Sequence, residues 1–245
     1  MERQIIILAA GHGSRMKSDL PKVMHEVHGK PMLEMVLSSA RQVTDDVILV
    51  YSTQLEKYLP KYQTMCNFVL QQVPLGTAHA AYVALSLIDD KKDVAVLYGD
   101  NPLITPNIIN DLFSHMANTK AALTTLCFIR EESNQYGRIV TDDNGEFLRI
   151  VEYKDATNEE LAINLCNSGI IAFKAGILKK YLDKMFLGPI GVDKKEVYLT
   201  SIVQIAKEGG EKVSYMLSSD HNQVIGINTK QELEEANNIV KLRPM

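Results

Sequence analysis

Short apolar runs recur along the first half of the chain and alternate with stretches of helical periodicity. The runs are short and rich in β-branched residues, which predicts buried strands at IIILA (5–9), VILVY (47–51), FVLQ (68–71), VAVLY (94–98) and ALTTLCFI (122–129). Apolar residues at helical spacing predict one helical face of Met32, Met35, Val36 and Ala40 and another of Ala80, Val83, Ala84 and Leu87. This alternation predicts an α/β fold with a mostly parallel sheet, whose ligands bind beyond the carboxyl ends of the strands.

The pattern changes after about residue 135. Short strands are predicted at YGRIV, EFLRIVEY and NSGIIAF, separated by turn residues, and they indicate a smaller β-rich lobe laid over one side of the first half. Helical patterns return near 175–186 and 197–208, and Asn228 in GINTK is predicted to end a short strand before a final amphipathic helix. Without repeats or an obvious linker, the chain is predicted to be one domain over 1–245, with a first lobe over about 1–135, the β-rich lobe over about 136–228 and a C-terminal helix over 229–245.

Composition excludes several classes of protein. Lys and Arg number 26 and Asp and Glu 30, so the net charge of −4 predicts no general attraction to nucleic acid or to an anionic membrane. The 3 cysteines are widely spaced and predict neither a disulfide framework nor a zinc site. No apolar stretch approaches the length of a membrane span, so we expect a cytoplasmic protein. The oligomeric state is left open.

The segment LAAGHGSRMKSDLPK at 8–22 follows the first predicted strand and combines glycines with basic residues. Gly11 and Gly13 permit positive φ angles and close approach of a ligand, and successive N–H groups of such a loop suit an anion. Arg15, Lys17 and Lys22 add positive charge, which predicts a phosphate site. Met16 stands where both the dinucleotide fingerprint and the P-loop require glycine, so neither motif is present. The alternative is an ordinary strand–helix turn with a solvated basic side.

Three further segments bear on a phosphate site. Asp100 follows the strand VAVLY on the same sheet edge, where one carboxylate beside a polyphosphate is a typical Mg²⁺ ligand; the alternative is an Asx turn before Pro102. Gly76 and Thr77 open a helix, so free N–H groups and a hydroxyl face the strand ends; the alternative is an ordinary N-terminal cap. Asn228, taken alone, is also compatible with a helix cap.

The loop sequence GHGSRMKSDLPKVMHEVHGKPM at 11–32 resembles the signature of the N-acetylglucosamine-1-phosphate uridyltransferases. The resemblance continues in the family's order through QQVPLGTAHA, LYGDNPLI, YGRIV, IVEYKDAT, NSGIIAF, EVYLTSIV and GIN, and covers residues 5 to about 240. It implies a Rossmann-like nucleotidyltransferase fold with a nucleotide-binding lobe and a β-rich lobe for the sugar phosphate.

The resemblance also implies roles for individual residues. Catalysis would depend on Arg15, Lys22 and Asp100, and Mg²⁺ would be bound by Asp100 and Asn228. The nucleotide would be bound by Leu8, Ala9, Ala10, Gly11, Gly13, Arg15, Lys22, Gln71, Gly76 and Thr77. The sugar phosphate would be bound by Tyr98, Gly137, Glu152, Asn167, Tyr198 and Thr200.

The implied reaction is uridylyl transfer from UTP to N-acetylglucosamine 1-phosphate without a covalent intermediate. The alternatives are another sugar 1-phosphate, another pyrimidine nucleotide, and a non-catalytic nucleotide-sugar-binding module. Family members commonly carry a C-terminal acetyltransferase β-helix of hexapeptide repeats, and these residues contain no such repeats, so no acetyl transfer is expected. Departures from the family pattern at Asn101, Ser168 and Lys194-Lys195 before Glu196 leave room for changes in the acceptor pocket.

Overall fold

The computed structural model describes residues 1–131, 134–187 and 197–242. The strands are β1 (Arg3–Ala9), β2 (Glu26–Val27), β3 (Lys30–Pro31), β4 (Val47–Tyr51), β5 (Asn67–Leu70), β6 (Asp93–Tyr98), β7 (Leu123–Ile129), β8 (Arg138–Thr141), β9 (Phe147–Val151), β10 (Leu165–Phe173) and β11 (Val213–Leu217). The α-helices are α1 (Met32–Arg41), α2 (Thr77–Val83), α3 (Pro106–Thr119), α4 (Asn158–Leu161), α5 (Ile177–Phe186), α6 (Ser201–Glu208) and α7 (Lys230–Leu242).

A 9-stranded sheet with the order β11-β7-β10-β6-β1-β4-β5 forms the centre of the fold, and β8 and β9 extend it from β10. Strand β1 is parallel to β4 and β6, β4 is parallel to β5, and β7 is parallel to β11. Strand β10 is antiparallel to β6, β7 and β8. The predicted α/β class with a mostly parallel sheet is therefore confirmed.

Apolar residues of the central strands are buried on both faces of this sheet. Ile5 and Ile7 of β1 pack on the side of α1 and α3, whereas Ile6 packs on the side of α2 and α5. Complete burial of all three side chains explains why the run contains no polar position. The sheet is thus a rigid support whose carboxyl edge presents the loops after β1, β5 and β6.

The structure differs from the sequence prediction in several elements. Helix α3 and strand β11 were not predicted, and Leu87, assigned to a buried helical face, is 40% exposed in a short 3₁₀ turn after α2. The β-rich region is not simply laid over the first half, because its strand β10 lies inside the main sheet.

The predicted strand ending at Asn228 is wrong, since residues 225–228 belong to neither a strand nor a helix. This segment is bonded to the loop after β6 by Ile227 N, which donates to Asp100 O at 2.9 Å. Lys194, Lys195, Glu196 and the last three residues of the predicted C-terminal helix lie outside the described residues. Among the helices that the structure describes, none is long and apolar enough to cross a membrane.

Candidate active site

Two adjoining cavities open at the carboxyl edge of the sheet. The first, of about 640 Å³, lies against the loop after β1 and the start of α2, and we name it the loop cavity. The second, of about 560 Å³, lies against β10 and the end of β6, and we name it the strand cavity. Residues common to both walls are Arg15, Thr77, Tyr98, Asp100 and Asn228. The cavities therefore meet at the side chains predicted to bind metal.

The structure places the predicted site residues on these walls in two groups. The loop cavity is lined by the residues predicted to bind nucleotide: Leu8, Ala9, Ala10, Gly11, Gly13, Arg15, Lys22, Gln71, Gly76 and Thr77. The strand cavity is lined by the residues predicted to bind sugar phosphate: Tyr98, Gly137, Glu152, Asn167, Tyr198 and Thr200. Asp100 and Asn228 line both cavities. The spatial grouping follows the predicted division, while the individual roles stay predictions.

Local backbone geometry shapes the loop after β1. Gly13 has a φ of 61°, and a Cβ there would lie 2.4 Å from the Cβ of Lys22, so only glycine allows the basic residue to approach. Met16, which removes the glycine of the known phosphate motifs, is 1% exposed and anchors the 3₁₀ turn Ser14–Met16 in the core. Gly11 does not have the expected positive φ; it is instead exposed, and a Cβ added there would have no atom within 4 Å.

Opposite charges converge where the two cavities meet. Lys22 Nζ donates to the carboxylate of Asp100 and to Oδ1 of Asn228, the latter at 3.0 Å. Arg15 Nη2 donates to the same Asn228 oxygen at 2.9 Å. An acidic oxygen and an amide oxygen thus already converge on a cation, the lysine ammonium.

This donor set fits Mg²⁺, which takes oxygen ligands and usually keeps several positions for phosphates and water. Within the described residues there is no cluster of three or more His, Cys, Asp or Glu side chains that could hold a metal by themselves. A metal here would be held by Asp100 and Asn228 and would need further oxygen ligands from a substrate.

Gln71 has a defined orientation in the loop cavity. It is 5% exposed, and its Nε2 donates to Gly76 O at 3.2 Å and lies 3.0 Å from His79 Nδ1. Because a carbonyl oxygen can only accept, the bond to Gly76 determines which end of the amide is nitrogen. The side-chain oxygen Oε1 is therefore left to accept a hydrogen bond from a ligand.

The start of α2 is joined to the segment 197–200. Ala78 N donates to Val197 O at 2.9 Å, and Leu199 N donates to the hydroxyl of Thr77 at 2.8 Å. The first turn of α2 is thus less free than the sequence predicted, since one N–H group and the threonine oxygen have protein partners. The same bonds place Tyr198 and Thr200 beside the strand cavity.

A bulge in β10 presents Asn167 to the strand cavity. The pairing of β10 with β7 shifts register between Asn167 and Ile171, and Gly169 within the bulge has a φ of 83°. Oδ1 of Asn167 accepts from Thr125 Oγ1 at 2.7 Å and from Gly169 N at 3.3 Å. Its Nδ2 is consequently a donor for a ligand in the cavity.

Glu152 and Tyr98 complete the wall of the strand cavity. Thr200 Oγ1 donates to Glu152 Oε1, which holds that carboxylate against the cavity. The ring of Tyr98 packs so closely on Gly169 that a Cβ there would lie 3.0 Å from it. The phenol of Tyr98 is protonated and able to donate at neutral pH, and burial raises its pKa further.

Sequence reasoning missed other residues of this wall, including Arg130, Asn134, Gln135, Tyr136 and Glu232. Gln135 accepts from Arg15 Nη1 at 3.3 Å across the mouth of the cavity. Two local signals were available: Tyr136 belongs to the YGRIV segment, and Thr229 with Glu232 forms the T-x-x-E pattern of a capping box.

The sequence of the first lobe and part of the second matches a known family. Residues 5–145, which contain the loop after β1 and Asp100, match the MobA-like NTP transferase domain. The chain belongs to this NTP transferase family. The resemblance drawn from the motifs reaches beyond this match to about residue 240, and it is confirmed by relatives that match nearly the whole chain.

Curated relatives of this NTP transferase domain carry the name Bifunctional protein GlmU. The protein from Desulfotalea psychrophila is 36% identical over 98% of the chain, which spans 70% of that relative. The protein from Zymomonas mobilis is 39% identical over 93% of the chain, and the one from Clostridium beijerinckii is 38% identical over 99%. The chain spans about half the length of these two relatives, 51% and 53%.

Solved structures support the fold. A protein described as a putative glucose-1-phosphate thymidylyltransferase from Bacillus anthracis superimposes with a TM-score of 0.76 at 17% identity, covering 99% of this chain and 97% of its own. A 4-diphosphocytidyl-2C-methyl-D-erythritol synthase from Anaerococcus prevotii gives 0.69 at 19% identity, covering 98% and 96%. These likenesses confirm the Rossmann-like nucleotidyltransferase fold.

Proposed function

We propose that this NTP transferase domain transfers a uridylyl group from UTP to N-acetylglucosamine 1-phosphate and releases pyrophosphate. One observation carries the proposal: the loop cavity and the strand cavity meet at Asp100 and Asn228, with Lys22 bonded to both residues and Arg15 bonded to Asn228. Two anionic substrates need this arrangement, because their phosphates must come together despite repulsion. Each cavity then holds one substrate, and the cations lie at the reacting phosphates.

The transfer requires alignment and charge neutralisation. An oxygen of the sugar phosphate forms a bond to the α-phosphorus of UTP, the bond from that phosphorus to the β-phosphate oxygen breaks, and pyrophosphate leaves with the electron pair. The attacking oxygen is already anionic, so no general base is needed. Lys22 and Arg15 turn from Asp100 and Asn228 to the phosphates, and Mg²⁺, when bound by those two residues, supplies further neutralisation.

The orientation of Gln71 supports uracil as the base. Its free oxygen Oε1 accepts from the N3–H of uracil, whereas N3 of cytosine is itself an acceptor and leaves both groups without a hydrogen. Because Gln71 is only 5% exposed, water cannot readily relieve this mismatch. Such unpaired buried groups cost several kcal/mol, or on the order of 10³-fold in rate.

The strand cavity supports an N-acetylated sugar. Nδ2 of Asn167 donates to the carbonyl of the acetamido group, and the carboxylate of Glu152, held by Thr200, accepts from ring hydroxyls. Asn101 and Ser168, which depart from the family pattern, donate to the carbonyls of Val224 and Leu126 at 2.8 and 2.6 Å. Because these donors serve the fold, we infer that the two departures leave acceptor recognition unchanged.

The relatives named Bifunctional protein GlmU, at 36–39% identity, are consistent with this substrate pair. A non-catalytic binding module would not need both oxygen ligands and both cations at the junction of two cavities. The joint presence of Asp100, Asn228, Arg15 and Lys22 therefore favours catalysis over binding alone.

The experiment is a pyrophosphate-release assay with UTP and Mg²⁺ against a panel of sugar 1-phosphates. We expect N-acetylglucosamine 1-phosphate to give the highest kcat/KM, and Asp100→Ala to lower turnover at least ~10²-fold, the scale of losing one major electrostatic contribution. Asp143→Ala, which removes an exposed turn carboxylate, is the matched control and should be unchanged. Equal use of glucose 1-phosphate would contradict the acetamido assignment, and no release with any sugar phosphate would contradict the function.

A further inference from the structure

Asn228 lies in a segment without regular secondary structure, so neither a ladder nor a helix determines its position. Residues 225–228 connect a 3₁₀ turn, His221–Gln223, to helix α7. The bond from Ile227 N to Asp100 O at 2.9 Å ties this segment to the other predicted metal ligand. The other contacts of the segment 225–228 therefore determine the direction of the Asn228 side-chain oxygen.

Glu232 holds the C-terminal side of this segment. A single carboxylate oxygen, Oε2, accepts from Asn228 N at 2.7 Å, from Thr229 N at 2.8 Å and from Thr229 Oγ1 at 3.1 Å. Glu232 N in turn donates to Thr229 Oγ1 at 3.2 Å, which completes a capping box at the start of α7. The backbone of Asn228 is thereby bonded directly to a charged group on a helix.

Tyr136 holds the other side through Gly226. Its hydroxyl accepts from Gly226 N at 3.0 Å and donates to Gly226 O at 3.4 Å, and its ring packs edge-on against the buried Phe128 with centroids 5.0 Å apart. A phenol keeps its proton at neutral pH, and burial raises the pKa of Tyr136 further, to about 12, so the hydroxyl is a donor throughout the usual pH range.

Gly226 O also orients the amide of Asn228. It accepts from Asn228 Nδ2 at 3.1 Å, which directs Oδ1 of the same amide toward Lys22 and Arg15. Gly226 O therefore accepts hydrogen bonds from both the Tyr136 hydroxyl and the Asn228 amide. Tyr136 thus acts on the orientation of Asn228 through this one carbonyl.

We propose that Glu232 and Tyr136 are positioning residues that clamp the segment 226–229 from both sides and keep Oδ1 of Asn228 beside the Asp100 carboxylate, where both oxygens contact Lys22 Nζ and where a divalent cation would bind. This inference rests on the proposed function for its biological meaning. It assigns the two residues an action through Asn228 and no contact with the reacting atoms. Loss of either side of the clamp lets the amide rotate or the backbone shift, which weakens metal binding without removing a ligand.

The test measures Mn²⁺ binding by electron paramagnetic resonance. The non-hydrolysable analogue uridine 5′-(α,β-methylene)triphosphate is present to supply the phosphate ligands. Glu232→Ala and Tyr136→Phe should each weaken Mn²⁺ binding about 10-fold, the lower end of the range for removing a group that orients a metal ligand. Glu232→Gln, which can place an oxygen where Oε2 lies, should recover part of the affinity. Glu234→Ala removes an exposed charge from the same helix and should bind Mn²⁺ as the wild type does.

A second measurement separates positioning from stability. We expect the KM for Mg²⁺ to rise about 10-fold in Glu232→Ala while kcat at saturating Mg²⁺ is largely recovered. A purely structural cap lowers the melting temperature and leaves the KM for Mg²⁺ unchanged, which would overturn the proposal, as would an equal loss of Mn²⁺ affinity in Glu234→Ala. If the wild-type protein and the variants show the expected order of Mn²⁺ affinities but the wild type transfers no uridylyl group, the proposed function fails and the clamp stands.

Discussion

Replacing Gly76 by alanine tests the junction between the start of α2 and the segment 197–200. Gly76 has a φ of 98° and a ψ of 179°, a backbone conformation that is essentially restricted to glycine. A Cβ at this position would lie 2.4 Å from Val197 O and 2.5 Å from Val197 N, and both atoms belong to backbone that cannot rotate away. Alanine therefore forces the two segments apart.

The expected loss of stability has two parts. Holding alanine in this conformation costs about 1–3 kcal/mol. Separation also breaks the bonds from Ala78 N to Val197 O and from Val197 N to Leu75 O, both 2.9 Å, at about 1 kcal/mol each. Gly76→Ala should thus lower the free energy of unfolding by about 3–5 kcal/mol, a large share of the ~5–15 kcal/mol typical of a domain.

Urea unfolding of three alanine variants distinguishes the two parts. Gly210 has a φ of 82° with no atom within 4 Å of an added Cβ, so Gly210→Ala should lose only the backbone contribution, about 1–2 kcal/mol. Gly11 has neither a positive φ nor a close neighbour, so Gly11→Ala should unfold within about 1 kcal/mol of wild type. If Gly76→Ala loses no more stability than Gly210→Ala, the close contact with Val197 does not exist.

Three further predictions concern the site and the core. Lys22→Met should weaken the binding of UTP much more than that of uridine in calorimetric titrations, because the proposed function places the lysine at the phosphates; equal losses would assign Lys22 to the fold. CTP should be used on the order of 10³-fold less efficiently than UTP in pyrophosphate release, and a comparable kcat/KM would contradict the orientation of Gln71. Burial lowers the pKa of His25 and His79 below 6.5, so the unfolded chain binds protons that the folded protein does not. Stability should therefore fall as the pH drops below about 6.5, seen as a lower urea midpoint at pH 5.5 than at pH 7.5, and an unchanged midpoint would refute this reasoning.

The central strands could be predicted because their signal is local. The predicted strand VILVY coincides with β4, and the predicted bounds of β1 and β6 lie within two residues of the observed ones. These strands are recognisable because a strand covered on both faces needs an uninterrupted run of apolar side chains. Strand β11 lacks this signal because it is an outer strand with partly exposed side chains. Helix α3 could have been predicted, since Thr105 caps it and Pro106 occupies its first turn.

Most of the candidate site could be predicted only through the motif resemblance. Composition and periodicity indicated a phosphate loop and a carboxylate at one sheet edge, and the structure brings Lys22 and Asp100 into contact there. The Glu232 side of the clamp has a local signal in the T-x-x-E pattern, but the Tyr136 side could not be predicted, because Tyr136 and Gly226 are separated by 90 residues and no local pattern records such a contact. The strand prediction for the GIN segment is wrong for a related reason. Its apolar residues resemble those of a strand, but its backbone bonds to Asp100, which is distant in the chain, and does not pair with a strand.

The antiparallel strand β10 has a consequence for how the chain is made. Residues 93–98 and 123–129 form strands that are both bonded to 165–173, so their facing edges stay unpaired until that later segment has left the ribosome. Unpaired edges of apolar strands readily associate with other chains, and pairing between distant segments is slow. The interval between synthesis of β7 and insertion of β10 is thus the period in which a nascent chain of this protein is most exposed to aggregation and most dependent on chaperones.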